Sequence, residues 1–340
     1  MTDVIEVSYT GDILAHRRCP RAWAYEKHTG FVPYEQVQAM EGRLVHHAME
    51  WLSRHYRDNG VLVQRPDLLD HLERFYKVLR SRGITTAFTS KEDLLNRIAD
   101  NLYNGDTLRR PVSVVIRGAE HTEYELRAVR KVLPSSFGGK SRILLTGVID
   151  LVLQQPDSLV YERVWRWDDK DELTGHVESK ELAAAPGDRE IWDFKATRAS
   201  TSYLGDYVRQ VVTYAALYRD RTGELPKRCV LFFVNEKKSA NALLAVPIDD
   251  DLVRRGVVWT EAQVADLRKT VADFEQRPEG LAGGSVLLRA KPVGERVTDD
   301  LKAQCTGCPQ RFDCDEYLAH LGCSREKPKR DVDPFEVGRN

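Results

Sequence analysis

The sequence predicts an α/β or α+β protein in which helices cover the faces of a central sheet. Apolar residues recur with the helical period up to about residue 103, and from Pro111 the period changes to two, which is typical of strands. A helix and two more strands follow after residue 205. With 340 residues, of which 42% are hydrophobic, the chain is long enough for one large domain or two ordinary ones.

Four amphipathic helices are predicted in the first third of the chain. They are expected at residues 9–28, 37–56, 67–82 and 91–103. Ser90 followed by Asp93 resembles a capping box and marks the start of the fourth helix. We interpret residues 61–105 as a helical insertion.

Five segments with strand character form the predicted centre of the fold. They are VSVVIRG (112–118), EYELRAV (123–129), RILLTGVIDLVL (142–153), LVYERVW (159–165) and REIWDFK (189–195). The polar interval 168–188 contains a Pro-Gly pair, so we expect a mobile excursion between two paired strands.

The last third is predicted to contain a helix, two strands, a long helix and a disordered tail. The expected bounds are 205–220, 228–236, 242–249 and 250–276, with the tail after Cys323. The predicted organisation is an N-terminal helical segment (1–60), the insertion (61–105), a core (106–250), a C-terminal helix with a cysteine cluster (251–325) and the tail (326–340).

The nearly equal numbers of basic and acidic residues exclude a strong electrostatic field over the whole protein. The chain has 51 basic and 52 acidic residues and a formal net charge of -1, so any binding of nucleic acid must depend on local patches. The N-terminus lacks a basic start followed by an apolar core, and no apolar run approaches the length needed to span a bilayer. We expect a cytoplasmic protein without membrane contact.

The segment IWDFK places an acid and a base two positions apart in an apolar run. In a strand, Ile191, Asp193 and Lys195 point to one face, and Trp192 and Phe194 point to the other. One interpretation is an internal ion pair, because most charge pairs are structural. The other is a metal site, which needs further ligands from elsewhere in the chain.

Asp150 is the only charged residue in the apolar strand TGVIDLVL (146–153). Strict alternation would place Asp150 and Val152 on one face of this strand, and Ile149 and Leu151 on the other. An unpaired buried carboxylate costs several kcal/mol, so a lysine or a divalent cation must compensate it. A cation would also explain Asp193, because it keeps two neighbouring carboxylates ionised.

The predicted second helix carries His46 and Glu50 on its polar face. A lone helical histidine is usually a surface or capping residue, but beside two acids it becomes a candidate third ligand. Glu50, one turn later, either orients the imidazole or lies on a solvated helix face.

Four short motifs occur in a characteristic order: GRLVHHAME (42–50), GVID (147–150), WDFK (192–195) and RQVVTYAALY (209–218). This order resembles that of the PD-(D/E)xK nucleases, in the branch of RecB-like and CRISPR-associated iron-sulfur exonucleases. The resemblance implies a restriction-endonuclease-like central mixed sheet flanked by helices. It also implies an Mg²⁺- or Mn²⁺-dependent deoxyribonuclease.

The resemblance assigns roles to individual residues. It implies that Lys195 is the catalytic lysine and that Gln210 and Tyr214, one helical turn apart, match the Gln-x-x-x-Tyr pair of the family. A cation on oxygen and imidazole ligands polarises the scissile phosphate, and Lys195 offsets the negative charge that develops there. The implied metal ligands are an imidazole, two carboxylates and a main-chain carbonyl: His46, Asp150, Asp193 and Phe194.

The cysteines suggest a second cofactor. CTGCPQRFDC (305–314) and Cys19, which precedes Pro-Arg, supply one Cys-x-x-Cys pair where a zinc site typically has two such pairs or histidines. An iron-sulfur cluster tolerates this spacing because its ligands bind different irons; zinc remains the alternative. Cys229 is interpreted as a small buried hydrophobe.

The nuclease branch named above has the same cysteine pattern. The resemblance therefore implies a 4Fe-4S cluster that joins the N- and C-terminal segments and stabilises the fold. The implied cluster ligands are Cys19, Cys305, Cys308 and Cys314.

Basic and aromatic residues alternate near Cys19. Such a pattern contacts phosphates and stacks bases of single strands, although a helix with a solvated basic face looks the same. Two arginines near the WDFK and RQVVTY motifs are further candidates. The predicted nucleic-acid contacts are Arg17, Arg18, Arg21, Trp23, Arg198 and Arg209.

The sequence thus predicts an exonuclease that acts on single-stranded DNA or duplex ends, in DNA repair, recombination, CRISPR adaptation or phage defence. A helicase or a CRISPR integrase is the expected kind of protein partner. Two alternatives remain open: a catalytically idle iron-sulfur DNA-binding or scaffold subunit, and a DNA adaptor stabilised by zinc.

Overall fold

The structure is a computed structural model that describes residues 5–20, 22, 23, 27, 37–84, 90–131, 142–199 and 203–275. Contacts divide the chain into two compact units, residues 1–18 with 32–269 and residues 19–31 with 270–340. Within the second unit, the Trp23 N–H donates to the Cys19 carbonyl oxygen at 3.0 Å. The sheet, the candidate site and the helices that cover the sheet, up to residue 269, belong to the first unit.

The described helices are a π-helical turn (Tyr9–Leu14), α1 (Ala15–Arg18), α2 (Val37–Asn59), α3 (Arg65–Ser81), α4 (Lys91–Leu102), α5 (Arg110–Gly118), α6 (Leu204–Thr222), α7 (Ser239–Ala242) and α8 (Asp250–Glu275). The described strands are β1 (Ile5–Ser8), β2 (Tyr103–Asn104), β3 (Thr107–Leu108), β4 (Ala119–Lys131), β5 (Arg142–Gln154), β6 (Leu159–Asp169), β7 (Thr174–Ala184), β8 (Arg189–Lys195), β9 (Arg228–Phe233) and β10 (Leu243–Pro247).

The described part of the chain forms a mixed sheet of eight strands in the order β1-β5-β8-β9-β10-β6-β7, with β4 also paired to β5. Strand β5 runs antiparallel to β4 along most of its length. Its other edge pairs with β1 over 143–146 and with β8 over 151–154. Asp150 therefore lies directly before the point where β8 joins β5.

Two hydrophobic cores lie against the sheet. One contains the apolar faces of α2, α3, α4 and α5, together with Trp192 and Phe194. The other contains α6 and α8, together with Ile191. The predicted alternation along REIWDFK is thus confirmed, and the central mixed sheet flanked by helices agrees with the predicted fold class.

The prediction of strict alternation around Asp150 is wrong. Ile149 and Val152 pack in the core beside α6, whereas Leu151 and Leu153 pack in the core beside α2. The alternation of side chains between the two faces of the sheet is interrupted within this short stretch. At the same place, the strand that pairs with this edge of β5 changes from β1 to β8. A period of two cannot show such a change, because it assumes regular pairing.

The segment VSVVIRG, predicted as a strand, forms the helix α5. Four of its apolar residues are buried: Val112, Val114, Val115 and Ile116. A short apolar run with little exposed surface has no clear period, so sequence alone cannot separate a buried helix from a buried strand. Pro111, in the first turn, is the signal that favours a helix.

The interval 168–188 is not an excursion between two paired strands. It contains β7, which pairs antiparallel with β6, and β9 and β10 lie between β6 and β8. Because β7 ends the order of the described sheet, its side chains are largely solvated. Polar and charged residues are typical of such an edge, which explains why the strand looked like a loop.

The predicted first helix, 9–28, is helical in most of its described part: the π-helical turn and α1 follow β1, which ends at Ser8, and residues 20, 22, 23 and 27 are also helical. Asp12 organises this start, since its carboxylate accepts hydrogen bonds from the Ser8 N–H and hydroxyl, both at 2.8 Å. Residues 21, 24–26 and 28 lie outside the described residues, as do the predicted tail and the segment 276–325.

The other predicted helices are confirmed within a few residues. The Ser90 hydroxyl accepts from the Asp93 N–H at 3.0 Å, which is the predicted cap of α4. In the described segments, none of the helices has the length and apolar character required to traverse a lipid bilayer.

Candidate active site

Four elements bring the motif residues together. Helix α2 buries Leu44, Val45 and Ala48 in the core, which leaves His46 to face the junction of β5 and β8. Strand β5 provides Asp150, strand β8 provides Asp193, Phe194 and Lys195, and helix α6 provides Gln210 and Tyr214.

Both ring nitrogens of His46 face oxygen atoms. Nδ1 lies 3.2 Å from Asp150 Oδ1, and Nε2 lies 3.0 Å from the Phe194 carbonyl oxygen. Only a protonated ring donates to both. Burial opposes that charge, but the Asp150 carboxylate outweighs burial and raises the pKa of His46 to about 9. The imidazolium thus contacts two of the oxygen ligands predicted for the metal, and ligation of a cation by His46 requires that the ring lose a proton.

The two predicted acids, Asp150 and Asp193, are both buried, but their pKa values are shifted in opposite directions. Burial raises the pKa of Asp150, but His46, Lys195 and the Phe194 N–H, which donates to Asp150 Oδ2 at 2.6 Å, hold it below its usual value. Burial, opposed by Lys195 and aided by Asp150, raises the pKa of Asp193 to about 6. Two such acids repel each other in the absence of a cation, so the site favours binding one.

Lys195 is held by an ordered chain of polar groups. Its ammonium forms an ion pair with Asp193 and donates to Gln210 Oε1 at 3.0 Å. Gln210 Nε2 in turn donates to the Tyr214 hydroxyl at 2.8 Å. The ammonium also lies 4.5 Å from the centroid of the Tyr207 ring. The lysine is therefore oriented on several sides before any substrate binds.

Gly147 allows α6 to approach β5 closely enough for this chain. A Cβ atom at this position would lie 2.9 Å from a ring carbon of Tyr214. A side chain there would displace the helix that carries Gln210 and Tyr214.

Glu123 is a site residue that the sequence analysis missed. It lies on β4 across from Asp150, between the paired positions Thr122–Leu151 and Tyr124–Ile149. One ligand atom each of His46, Glu123 and Asp150 lie within 4.8 Å of one another. Burial and the nearby Asp150 carboxylate raise the pKa of Glu123 to about 7. No motif marks this glutamate, because its role depends on strand pairing.

Glu50 does not orient His46. Its carboxylate pairs with Arg54 at 2.6 Å and lies 3.8 Å from His47 Nδ1. Asp150 and Phe194 orient the His46 ring instead.

The donor set fits a divalent cation. Carboxylate oxygens, a main-chain carbonyl and one imidazole are ligands that suit Mg²⁺ and Mn²⁺. Asp150 and Asp193 are buried, with 8% and 1% exposure, so their clustering is not that of solvated surface acids. Among the described residues, the group whose ligand atoms lie close enough to hold the cation is His46, Glu123 and Asp150; the Phe194 carbonyl contacts His46, and Asp193, which pairs with Lys195, is not part of that group.

Three of the predicted nucleic-acid contacts lie near α6. The guanidinium groups of Arg17 and Arg209 lie 4.9 Å and 5.7 Å from the ring centroid of Trp259, and Arg18 lies 4.8 Å from that of Tyr203. Such cation–π contacts order the arginine side chains. Arg209 itself is 14% exposed and pairs with Asp206 at 3.2 Å, so its guanidinium is only partly accessible to a ligand.

The other three predicted nucleic-acid contacts differ in how accessible their side chains are to DNA. Arg198 is exposed in the segment after β8. Trp23 has only 5% exposure, which disfavours its predicted role in stacking a base. Arg21 lies outside the described residues.

Of the four predicted iron-sulfur ligands, Cys19 lies among the described residues. Cys19 is partly buried, and Cys305, Cys308 and Cys314 lie outside the described residues, so the cluster stays a prediction. The interpretation of Cys229 is confirmed, since it is fully buried in β9 and its thiol donates to the Val211 carbonyl at 3.4 Å.

The fold and the site define a class of protein. A central mixed sheet flanked by helices, with an acid-x-lysine strand beside a second acid, is consistent with a restriction-endonuclease-like fold.

Residues 12–168, somewhat under half of the chain, match the family model of the PD-(D/E)XK nuclease superfamily. That range includes His46, Glu123 and Asp150 and ends before Asp193 and Lys195. A search among curated proteins found no match. The match to this superfamily indicates nuclease activity.

Proposed function

We propose that the protein is an Mg²⁺- or Mn²⁺-dependent nuclease that hydrolyses phosphodiester bonds of DNA, acting as an exonuclease on single strands or duplex ends. The observation that carries this proposal is the convergence of His46, Asp150, Asp193 and Lys195 at one junction of β5, β8 and α2. The superfamily match supports the same reaction class.

Each residue has a separate task in the proposed reaction. His46, Asp150, Asp193 and the Phe194 carbonyl, with Glu123, would hold the cation. A divalent cation bound there would polarise the scissile phosphate and lower the pKa of a water molecule. Lys195 presents a compact positive charge to the phosphate and orients the attacking water. Gln210 and Tyr214 keep that ammonium in position.

Cleavage of end-labelled single-stranded DNA in the presence of Mn²⁺ tests the proposal. Wild type should degrade the strand, and Lys195→Ala should be slower by roughly 10²-fold or more, as expected for the loss of a charge that stabilises the transition state. Asp157→Asn, a change at an exposed acid paired with Arg117, is the matched control and should retain activity.

Calorimetry separates binding from chemistry. Mn²⁺ uptake should be strong in wild type and in Lys195→Ala, and lost in Asp150→Asn. Equal cleavage by wild type and Lys195→Ala would remove the lysine from the mechanism. DNA binding without cleavage by any variant would favour the scaffold alternative.

We also propose that Cys19, Cys305, Cys308 and Cys314 hold a 4Fe-4S cluster. Pathways consistent with such an enzyme are DNA repair, recombination, CRISPR adaptation and phage defence, with a helicase or integrase as partner. The purified protein should be brown and contain iron, and Cys308→Ala should lose both. A colourless protein that contains zinc would contradict the cluster.

A further inference from the structure

A cavity of about 420 Å³ lies between the C-terminal half of α2 and strand β4. Helix α2 contributes Arg54, Arg57 and Asp58 to its lining, and β4 contributes residues 121–124. Its volume falls within the range of roughly 300–1,000 Å³ that is typical of sites for small organic groups. A cavity of this size can hold one nucleotide unit.

The cavity lies directly beside the candidate metal site. Glu123 lines the cavity and also belongs to the group in which ligand atoms of His46, Glu123 and Asp150 lie within 4.8 Å of one another. A strand whose phosphate reaches that group would therefore have its next nucleotide at the cavity.

Two arginines give the cavity a surface for phosphate. Arg54 and Arg57, three positions apart on α2, project from the same face of the helix. Their side chains are 54% and 51% exposed, and they pair with Glu50 at 2.6 Å and Asp58 at 3.5 Å. Such exposed pairs contribute little free energy, so a phosphate can compete for the guanidinium groups.

Two rings give the cavity a surface for a base. The rings of His121 and Tyr124 are stacked, with centroids 4.9 Å apart and planes at 19°. His121 is exposed, and Tyr124 is anchored because it packs against the core beside α6. A nucleobase can extend such a stack without any requirement for a particular sequence.

We propose that this cavity binds the nucleotide adjacent to the scissile phosphate of a single DNA strand. The backbone phosphate lies at Arg54 and Arg57, and the base lies on the His121–Tyr124 ring pair. This inference rests on the proposed nuclease function and adds the path of the substrate, which runs between α2 and β4.

Cleavage kinetics and DNA-binding measurements both test the proposed path of the DNA strand between α2 and β4. Arg54→Ala/Arg57→Ala should raise KM about tenfold, with kcat within about twofold, because each removed phosphate contact weakens binding of the strand. In the Lys195→Ala background, fluorescence anisotropy with a labelled oligothymidylate should show the salt dependence of log K reduced by about 0.7 for each arginine removed. His121→Ala should weaken binding roughly fivefold.

The matched control is Arg80→Ala/Arg82→Ala, which removes the same charge from exposed arginines at the end of α3, away from the cavity lining. It should keep the wild-type KM. Thermal melting checks that each variant is folded.

The outcomes separate the two proposals. If both double variants change KM and the salt slope equally, the cavity is not the binding path, while cleavage by wild type leaves the nuclease function intact. If wild type does not cleave but binding still depends on Arg54 and Arg57, the nuclease function fails and the cavity remains a DNA site.

Discussion

At the scale of single residues, Glu123 combines an unfavourable backbone conformation with a position in the candidate site. Its φ is 49°, in the left-handed region that side chains other than glycine rarely adopt. Such conformations cost on the order of 1–3 kcal/mol and are concentrated at functional sites. The strain places the carboxylate near His46 and Asp150.

We expect Glu123→Gly to raise the free energy of unfolding by about 1 kcal/mol, because glycine adopts a positive φ without steric cost. The same change should reduce Mn²⁺ affinity, since a ligand is lost. Urea unfolding and calorimetry measure the two effects.

Glu125→Gly is the control for Glu123→Gly. Glu125 lies two positions further along β4, is exposed, and is not among the described residues with positive φ. Glycine there should lower stability by roughly 0.5–1 kcal/mol and leave Mn²⁺ uptake unchanged. A loss of stability at both positions would show that Glu123 is not strained.

At the scale of elements, a buried network connects β8 to its neighbours. The Glu190 carboxylate accepts hydrogen bonds from Tyr161 and Gln155 at 2.6 Å each and from Trp192 at 2.8 Å. Arg228, on β9, lies 3.1 Å from the other carboxylate oxygen. This network orders the start of the strand that ends in the Asp193–Lys195 pair.

Arg228→Met should lower the free energy of unfolding by roughly 3–5 kcal/mol, because it leaves the Glu190 charge buried without a counterion. Arg228→Met/Glu190→Gln should be less destabilised than the sum of the single changes, since the buried Glu190 charge is removed together with its counterion; Asp188, which pairs with Arg228 at 2.7 Å, loses that partner in both Arg228 variants. Urea unfolding of the four proteins measures the coupling.

Arg254→Met provides the comparison for Arg228→Met. Arg254 is exposed and pairs with Asp251 at 2.6 Å, and a pair of this kind contributes within about 1 kcal/mol. Strict additivity of Arg228→Met and Glu190→Gln would show that the two groups do not compensate each other.

At the scale of the whole molecule, a stack of rings joins α2 to α3 in the helical layer that covers the site. Trp51 stacks on His71 at 4.0 Å, and His47 stacks on Phe75 at 3.6 Å. The Nε2 atoms of His47 and His71 lie 3.0 Å apart, so one ring donates to the other and the accepting ring is neutral. Partial burial, His47 and Arg74 lower the pKa of His71 to about 4.

This pKa makes the contribution of His71 to stability sensitive to acid. The ordinary pKa of histidine, 6.5, applies to the unfolded chain, so between about 6.5 and 4 the unfolded state binds a proton that the folded state does not. The contribution of His71 to the free energy of unfolding should therefore fall as the pH is lowered through that window, whereas the raised pKa values of Asp193 and Glu123 act in the opposite direction.

His71→Phe should be destabilised less than wild type when the pH is lowered from about 6.5 to 4, because the ring that resists protonation is gone while stacking is kept. Urea unfolding at several pH values measures the slope, and measurements above pH 7 serve as the reference in which His71 is neutral in both states. An unchanged slope would assign the acid sensitivity to other groups.

Much of the candidate site could be predicted because its chemistry resides in residue types and their order. Asp193 and Lys195 share a face because a strand has a period of two, and Gln210 contacts Tyr214 because a helix brings positions four apart together. That these residues lie near His46 and Asp150 depends on the order of the strands in the sheet. Local periodicity in the sequence does not predict that order.

The sequence by itself determined the helices with clear amphipathic periods, the cap at Ser90 and the acid-x-lysine strand, because these depend on neighbours along the chain. Only the tertiary structure decided that α5 is a helix, that β7 forms an edge and that Glu123 joins Asp150. The physical reason is that burial and strand pairing act between residues far apart in sequence, and they override local preference wherever the local pattern is weak.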